Sequence, residues 1–409
     1  MSSLVGGIGI IGQDIVCGFG NGKYKTFEGT EIVVENCVKA KVKDLVVEGK
    51  TYQNLLTNKI NYTFSGSTFY YNKTTLNNGA IYTRNNKEIT SGTSGTYITF
   101  KCHTVASMLK SNTTYTLAFN IESTFSDYKG ITVSGENDCY FKSSTSESNK
   151  TRYFHDESFD LSTGYKKIMF KTNPNITKYF GFGFPPMQSQ SEGNYLKITN
   201  IILLEGDYTN IDLPNSINGI ESVTERENNI LSVKINDNTT TLNLPIPLRS
   251  LQNNVCDTIE GNKLVQRVGK VVLDGSEDWK LQSCNVKGNG ILNIFFIIQD
   301  LIIKLKEKQF IMCDKYIQQK TPIADTTNEG VLVNEEKRLY LRLFTSKATT
   351  VEEAKEYIKD NPFVVYYELA TPVIHELTIP SISTTKGTNV ITTTNNIKPK
   401  LKLKVKVKK

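Results

Sequence analysis

Histidine, tryptophan and paired cysteines are what this chain has least of. It holds three histidines (His103, His155 and His375) and seven widely spaced cysteines with no C-x-x-C. That leaves no ligand set with metal-site spacing and no cysteine pattern of a disulfide framework. The cysteines read instead as small, mostly buried residues of a chain made in a reducing cytosol. No P-loop, G-x-S-x-G, H-E-x-x-H or dinucleotide fingerprint occurs, so no nucleotide cradle, strained serine nucleophile or zinc-protease helix is expected. Neither a metal nor any cofactor is expected. Long apolar runs are missing too. Ile291 to Ile303 is the longest, and Asn293, Gln299 and Asp300 break it, so no membrane insertion is expected. The early run Leu4 to Ile11 is short, broken by glycine and not preceded by basic residues. It does not read as a secretory signal, and release by lysis or within a particle is the expectation.

The chain also lacks a real excess of positive charge. Its 409 residues carry a formal net charge of +7, but the last twelve hold seven lysines and no acid, leaving 41 basic residues against 41 acidic. A balanced body gives no reason to expect a nucleic-acid face.

What is present is β-forming material. Tyrosine (20) and phenylalanine (19) are abundant, Asn, Thr, Ser, Ile and Val are frequent, and helical spacing is scarce. The length suits two or three domains. The expected fold is all-β, with two β-sandwich (jelly-roll-like) domains flanked by β-hairpins and one short helix in the second domain. An attachment segment and hairpin take residues 1–50, a first sandwich 51–206, a connector 207–243, a second sandwich 244–375, and a terminal hairpin with a Lys-rich strand 376–409.

The chain is organised around residues 244–279. Gly261-Asn262 breaks two Val/Leu-rich runs as a hairpin turn does. Asp274-Gly275 supplies the next turn, and Trp279, the only tryptophan, is expected to fold back as a core anchor. Thr350 to Asn361 is the clear helix: Thr350 caps it, Glu352 and Glu353 suit its N-terminus, and Pro362 stops it. Arg338 to Phe344 alternates as a half-exposed strand does.

The ends carry a short internal echo. Gly29-Thr30 to Asn36 with the Lys-bearing run to Lys43 is matched by Gly387-Thr388 to Asn395 with the run to Lys402. Both copies read as strand, turn and strand. The terminal KPKLKLKVKVKK has strand period, and Leu401, Leu403, Val405 and Val407 need a sheet or symmetry mates to cover them. They are the candidate assembly residues. Membrane-surface or nucleic-acid binding is the alternative for this tail, but aromatic residues and helical spacing are missing from it.

Few residues invite chemistry. Asp156, Glu157 and Asp160 include the pair of carboxylates a glycosidase needs, though acids in a polar loop are ordinarily solvated. Asp274, Glu277 and Asp278 are either a turn or oxygen ligands for Ca²⁺. Gly181-x-Gly183 lies among phenylalanines and reads as strand packing. Tyr70, Tyr71, Tyr82, Tyr128, Tyr140 and Tyr153 fall on expected loops or strand ends, where aromatic faces suit sugar binding.

Two runs carry a resemblance. Leu248 to Trp279 (LRSL…VCDTIEGNKLVQRVGKVVLDGSEDW) and Asn361 to Val373 (NPFVVYYELATPV) resemble, in order, segments of tail and baseplate proteins of phages and prophages of low-GC Gram-positive bacteria. Tyr52-Gln53-Asn54-Leu55-Leu56 and Ile198 to Gly206 resemble the opening and close of jelly-roll carbohydrate-binding modules common in such proteins. The resemblance implies a non-enzymatic virion or tail-like particle component at the baseplate or tail tip. Its implied partners are other tail proteins, copies of itself in a homotrimer, and a host surface polysaccharide or protein. Two other functions remain open: an architectural subunit without glycan affinity, and a polysaccharide depolymerase, which needs a carboxylate pair in a cleft.

Overall fold

A computed structural model describes residues 9–12, 25–28, 31–37, 44–56, 63–66, 68–69, 72–77, 80–85, 95–101, 109–124, 129–135, 152–174, 179–186, 195–210, 212–217, 219–252, 255–286, 290–301, 310–316, 318, 329–383, 385–393 and 399–403. The fold is all-β, made of several largely antiparallel sheets, one of them partly curled into a half-barrel. Two short helices occur among the described residues, Val223–Arg226 and Val351–Asp360.

Two sheets share an aromatic core. One orders Arg152–Asp160, Lys129–Ser134, Tyr179–Pro186, Gly95–Lys101 and Thr63–Gly66; the other runs from Gly164–Lys171 through Thr114–Ser123 and Tyr195–Glu205 to Ala80–Asn85, Asn72–Asn77 and Thr68–Phe69. Alternate residues of a strand share a face, and Phe180, Phe182 and Phe184 are all fully buried on one. Phe182 stacks on Phe119 at 5.4 Å and Phe180 on Phe170 at 5.8 Å. The glycines between them leave a slim strand, as the packing reading of Gly181-x-Gly183 expects.

The organising stretch forms its hairpin. Thr258–Glu260 and Lys263–Leu273 pair around Gly261-Asn262, and Lys263–Leu273 then pairs antiparallel with Phe363–Glu376. Asp274-Gly275 does turn. Glu277 takes the backbone N–H groups of Asp274 and Gly275 at 3.0 and 3.1 Å and the Trp279 indole N–H at 2.8 Å. Trp279 is buried against Phe296, 5.1 Å away. Glu277 and Asp274, which accepts the Ser276 N–H at 3.0 Å, therefore serve the turn, while Asp278 pairs with Lys280 at 3.4 Å. The helix Val351–Asp360 starts as expected, with Thr350 Oγ1 accepting the Glu353 N–H at 3.2 Å. It buries Ala354 and Ile358.

Arg338–Phe344 departs from its expected half-exposure: its five central residues are buried. Arg342 is 1 % exposed and donates to Asn293 at 3.1 Å. A polar residue at alternate positions signalled solvent, but here it is a hydrogen-bonded interior group.

The stretch expected as a connector supplies a hairpin, Ile230–Ile235 with Asn238–Asn243, inside a five-stranded sheet. That sheet also holds Gly9–Gly12, Glu31–Cys37 and Gly387–Thr393. The first halves of the internal echo are thus direct neighbours, with Ile32 opposite Ile391 and Val33 opposite Val390. Leu231, Val233 and Ile235 join Val47, Tyr52, Ile202, Ile259 and Leu264 in one core that draws on most of the chain.

Candidate functional site

The site is a polar cleft of about 210 Å³ assembled from four distant segments: Lys50 to Gln53, Leu204, Glu205 and Tyr208, Ser250 to Gln252, and Met312. Local chemistry sets each segment. Gly49 lets the backbone lie against Arg249, since a Cβ there would stand 2.5 Å from the Arg249 carbonyl oxygen. Next to it, Thr51 and Ser250 exchange bonds. The Thr51 N–H donates to Ser250 Oγ at 3.0 Å, and the Ser250 N–H donates to Thr51 Oγ1 at 2.8 Å.

Asn54 ties this segment to the closing strand Tyr195–Glu205. Its amide donates to the carbonyls of Ile201 and Ile217 at 2.9 and 3.1 Å, and its oxygen accepts the N–H groups of Leu203 and Leu56 at 3.0 and 3.1 Å. The opening and closing segments read from the sequence are therefore bound to each other by one buried side chain. Beyond the strand, Gly206 takes φ +117°, a left-handed conformation that suits glycine. The chain then turns so that the Tyr208 N–H donates to Thr116 Oγ1 at 2.9 Å.

Tyr208 packs T-shaped on Tyr52, with ring centroids 5.7 Å apart, and the Lys50 ammonium lies 4.5 Å from the Tyr208 ring centre and 5.3 Å from that of Tyr52. Such a cation is held by the ring quadrupoles. Burial pushes both tyrosine hydroxyls above their ordinary range, so they stay neutral. Glu205 is engaged by Lys110 at 2.7 Å. Gln252 donates to the Gln53 amide oxygen at 3.0 Å, and Gln53 donates to the Cys313 carbonyl at 3.1 Å. The cleft thus offers hydrogen-bond donors, one supported cation and the Glu205 carboxylate, with Leu204, Leu251 and Met312 as its apolar lining.

Of the tyrosines expected to bind sugar, Tyr70, Tyr71, Tyr128 and Tyr140 lie outside the described residues. Tyr82 belongs to the strand Ala80–Asn85, and its side chain lies outside them too. Tyr153 is half-buried in Arg152–Asp160 and stacks on Phe170 at 5.9 Å, beside the aromatic core and not in the cleft. The acids of that strand serve locally: Asp156 accepts from Ser158, and Asp160 binds Ser162 and, at 2.8 Å, Lys166. Lys166 and the serine hold the Asp160 carboxyl well below the usual carboxylate range. Leu401 and Leu403 sit in the strand Pro399–Leu403, which pairs on one side with Lys25–Glu28 and on the other with Asp44–Glu48 of the same chain. Val405 and Val407 lie outside the described residues.

Sequence spacing had no means of finding the cleft, because its residues come from segments up to 262 positions apart (Lys50 to Met312). The available signal was indirect: three of the four segments lie within or beside the runs that carry the two resemblances. No group of three or more His, Cys, Asp or Glu able to hold a metal ion occurs among the described residues, and no helix among them is long and apolar enough to cross a membrane. No protein-family model matches the chain, and none of the curated proteins compared with it gives a match.

Proposed function

We propose that the chain is a non-enzymatic structural component of a phage tail or phage-tail-like particle, placed at the baseplate or tail tip, that recognises a glycan on the host surface. The observation that carries this reading is the relation between the two resembling runs. They lie side by side as the strands Lys263–Leu273 and Phe363–Glu376, paired from Leu273 opposite Phe363 to Lys263 opposite Glu376 with a shift of register between Gln266 and Val268. Residues of both runs meet in one network. Asp257 takes the N–H groups of Arg249, Arg267 and Val268 at 2.9, 2.7 and 2.8 Å, Arg249 lies over the Tyr366 ring, and the Tyr366 hydroxyl donates to Glu225 at 2.9 Å. Two runs that build one packed unit are what a shared structural module requires.

On this reading the fold is two jelly-roll-like β-sandwich units flanked by hairpins. The paired sheets around Phe119, Phe170 and Phe182 form the first, and the sheets around Trp279 and the helix Val351–Asp360 form the second. Glycan recognition falls to the cleft at the Thr51–Ser250 junction. Other tail proteins are the structural partners, with neither nucleic acid nor membrane insertion involved. The protein is made in the host cytoplasm and leaves by lysis. A homotrimer is retained from the resemblance alone, because the strand Pro399–Leu403 is paired on both edges within its own chain.

Gold-labelled antibody against the purified chain, applied to particles released from lysed cells, tests the placement. Label at one end of the tail is expected; label absent from every particle rejects it.

A further inference from the structure

Hydrogen-bond donors gather in the cleft, and that narrows the ligand. Thr51 Oγ1 and Ser250 Oγ each accept the other residue's backbone N–H. A hydroxyl that accepts still has its own proton to give, and neither proton meets an acceptor among the described residues. Gln252 uses one amide N–H on Gln53 and keeps the second. The Lys50 ammonium stands over Tyr208 and Tyr52. The carboxylate in the lining, Glu205, binds Lys110 through Oε1 at 2.7 Å. The tyrosines act here as a platform for a cation more than as a stacking face for a sugar ring. The volume of about 210 Å³ lies below the roughly 300 Å³ where pockets for larger ligands begin, so it suits one sugar residue and not a length of polysaccharide.

We infer that the cleft takes the carboxylate or phosphate of an acidic sugar, with the Thr51 and Ser250 hydroxyls as donors and Lys50 as the neighbouring positive charge. The inference rests on the glycan-recognition reading above and adds the chemical class of the sugar. Oxyanion acceptors facing neutral donors and a partly desolvated cation form charge-assisted hydrogen bonds, the stronger kind.

The test is ligand-observed NMR titration of the full chain with methyl glucuronide, glucose 6-phosphate and methyl glucoside, beside adhesion of the chain to Gram-positive cells. At least one anionic sugar is expected to bind roughly tenfold or more tightly than the neutral one, and less tightly as salt rises. Which of the two binds separates carboxylate from phosphate. Lys50→Gln and Ser250→Ala are each expected to weaken it about tenfold. Lys50→Gln leaves the Thr51–Ser250 exchange intact, and circular dichroism checks that both variants fold. Equal binding of methyl glucoside, or anion binding untouched by Lys50→Gln, overturns the inference. Adhesion to cells with no sugar bound in the cleft also overturns it, together with the placing of recognition in the cleft, while recognition elsewhere on the chain stands. Absence of adhesion to any cell removes that reading as well.

Discussion

Asn54 is the place where a single substitution is expected to do most damage. Its side chain is 1 % exposed and makes four hydrogen bonds to backbone groups of three segments. Asn54→Ala withdraws a partner from two backbone N–H groups, of Leu56 and Leu203, and from two carbonyls, of Ile201 and Ile217. Each buried group so deprived costs about 1–3 kcal/mol. Water entering from the half-exposed Leu56 side relieves part of this, which sets the expected loss at about 4 kcal/mol, near the top of what one substitution does. Asn54→Asp keeps the accepting oxygen but sets a second oxygen against the Ile201 and Ile217 carbonyls, and is expected to lose at least as much at neutral pH. The assay is urea unfolding followed by far-ultraviolet circular dichroism, with the shift in midpoint scaled by the slope. A loss below about 1 kcal/mol for Asn54→Ala would refute the clamp.

Three further perturbations follow from the same contacts. Gly275 holds φ +89°, and a Cβ there would stand 2.3 Å from the Lys355 carbonyl oxygen, so Gly275→Ala is expected to destabilise by about 2 kcal/mol or more, read as a lowered Tm. Glu277→Ala frees the Trp279 indole N–H and two turn N–H groups; a red shift of the single-tryptophan fluorescence and a loss of about 1–2 kcal/mol are expected, and an unmoved spectrum counts against the anchor. Burial pushes the Tyr165 and Tyr357 hydroxyls up to about 12 and raises Tyr115 and Tyr366 as well. Between the unfolded value near 10 and the folded one, the native chain holds more protons. Stability is therefore whole below pH 10 and falls as pH rises toward 12. Tyrosinate absorbance of these residues should appear only with unfolding, and reversible ionisation of every tyrosine in the folded chain contradicts it.

Much of the fold was legible because local signals and tertiary structure agree there. Arg338–Phe344 has the bounds read from its composition, and Thr350 caps its helix as expected. The failures share a cause. Arg152–Asp160 is a strand written with Asp, Glu and Ser, residues that favour turns; it holds because Lys129–Ser134 pairs with it. The hairpin at Ile230–Asn243 looked like a connector because its Asn and Thr residues hide Leu231, Val233 and Ile235, whose burial depends on Gly387–Thr393 far along the chain. The cleft was illegible for the same reason: Lys50, Tyr208 and Ser250 have meaning only once the sheets bring them together.

The most direct test of the central claim is binding of the purified full chain to intact low-GC Gram-positive cells before and after periodate, which cleaves the vicinal diols of sugars. Binding that is present on untreated cells of at least one strain and lost after oxidation is the predicted result. Binding that survives oxidation unchanged would contradict glycan recognition and direct attention to a surface protein.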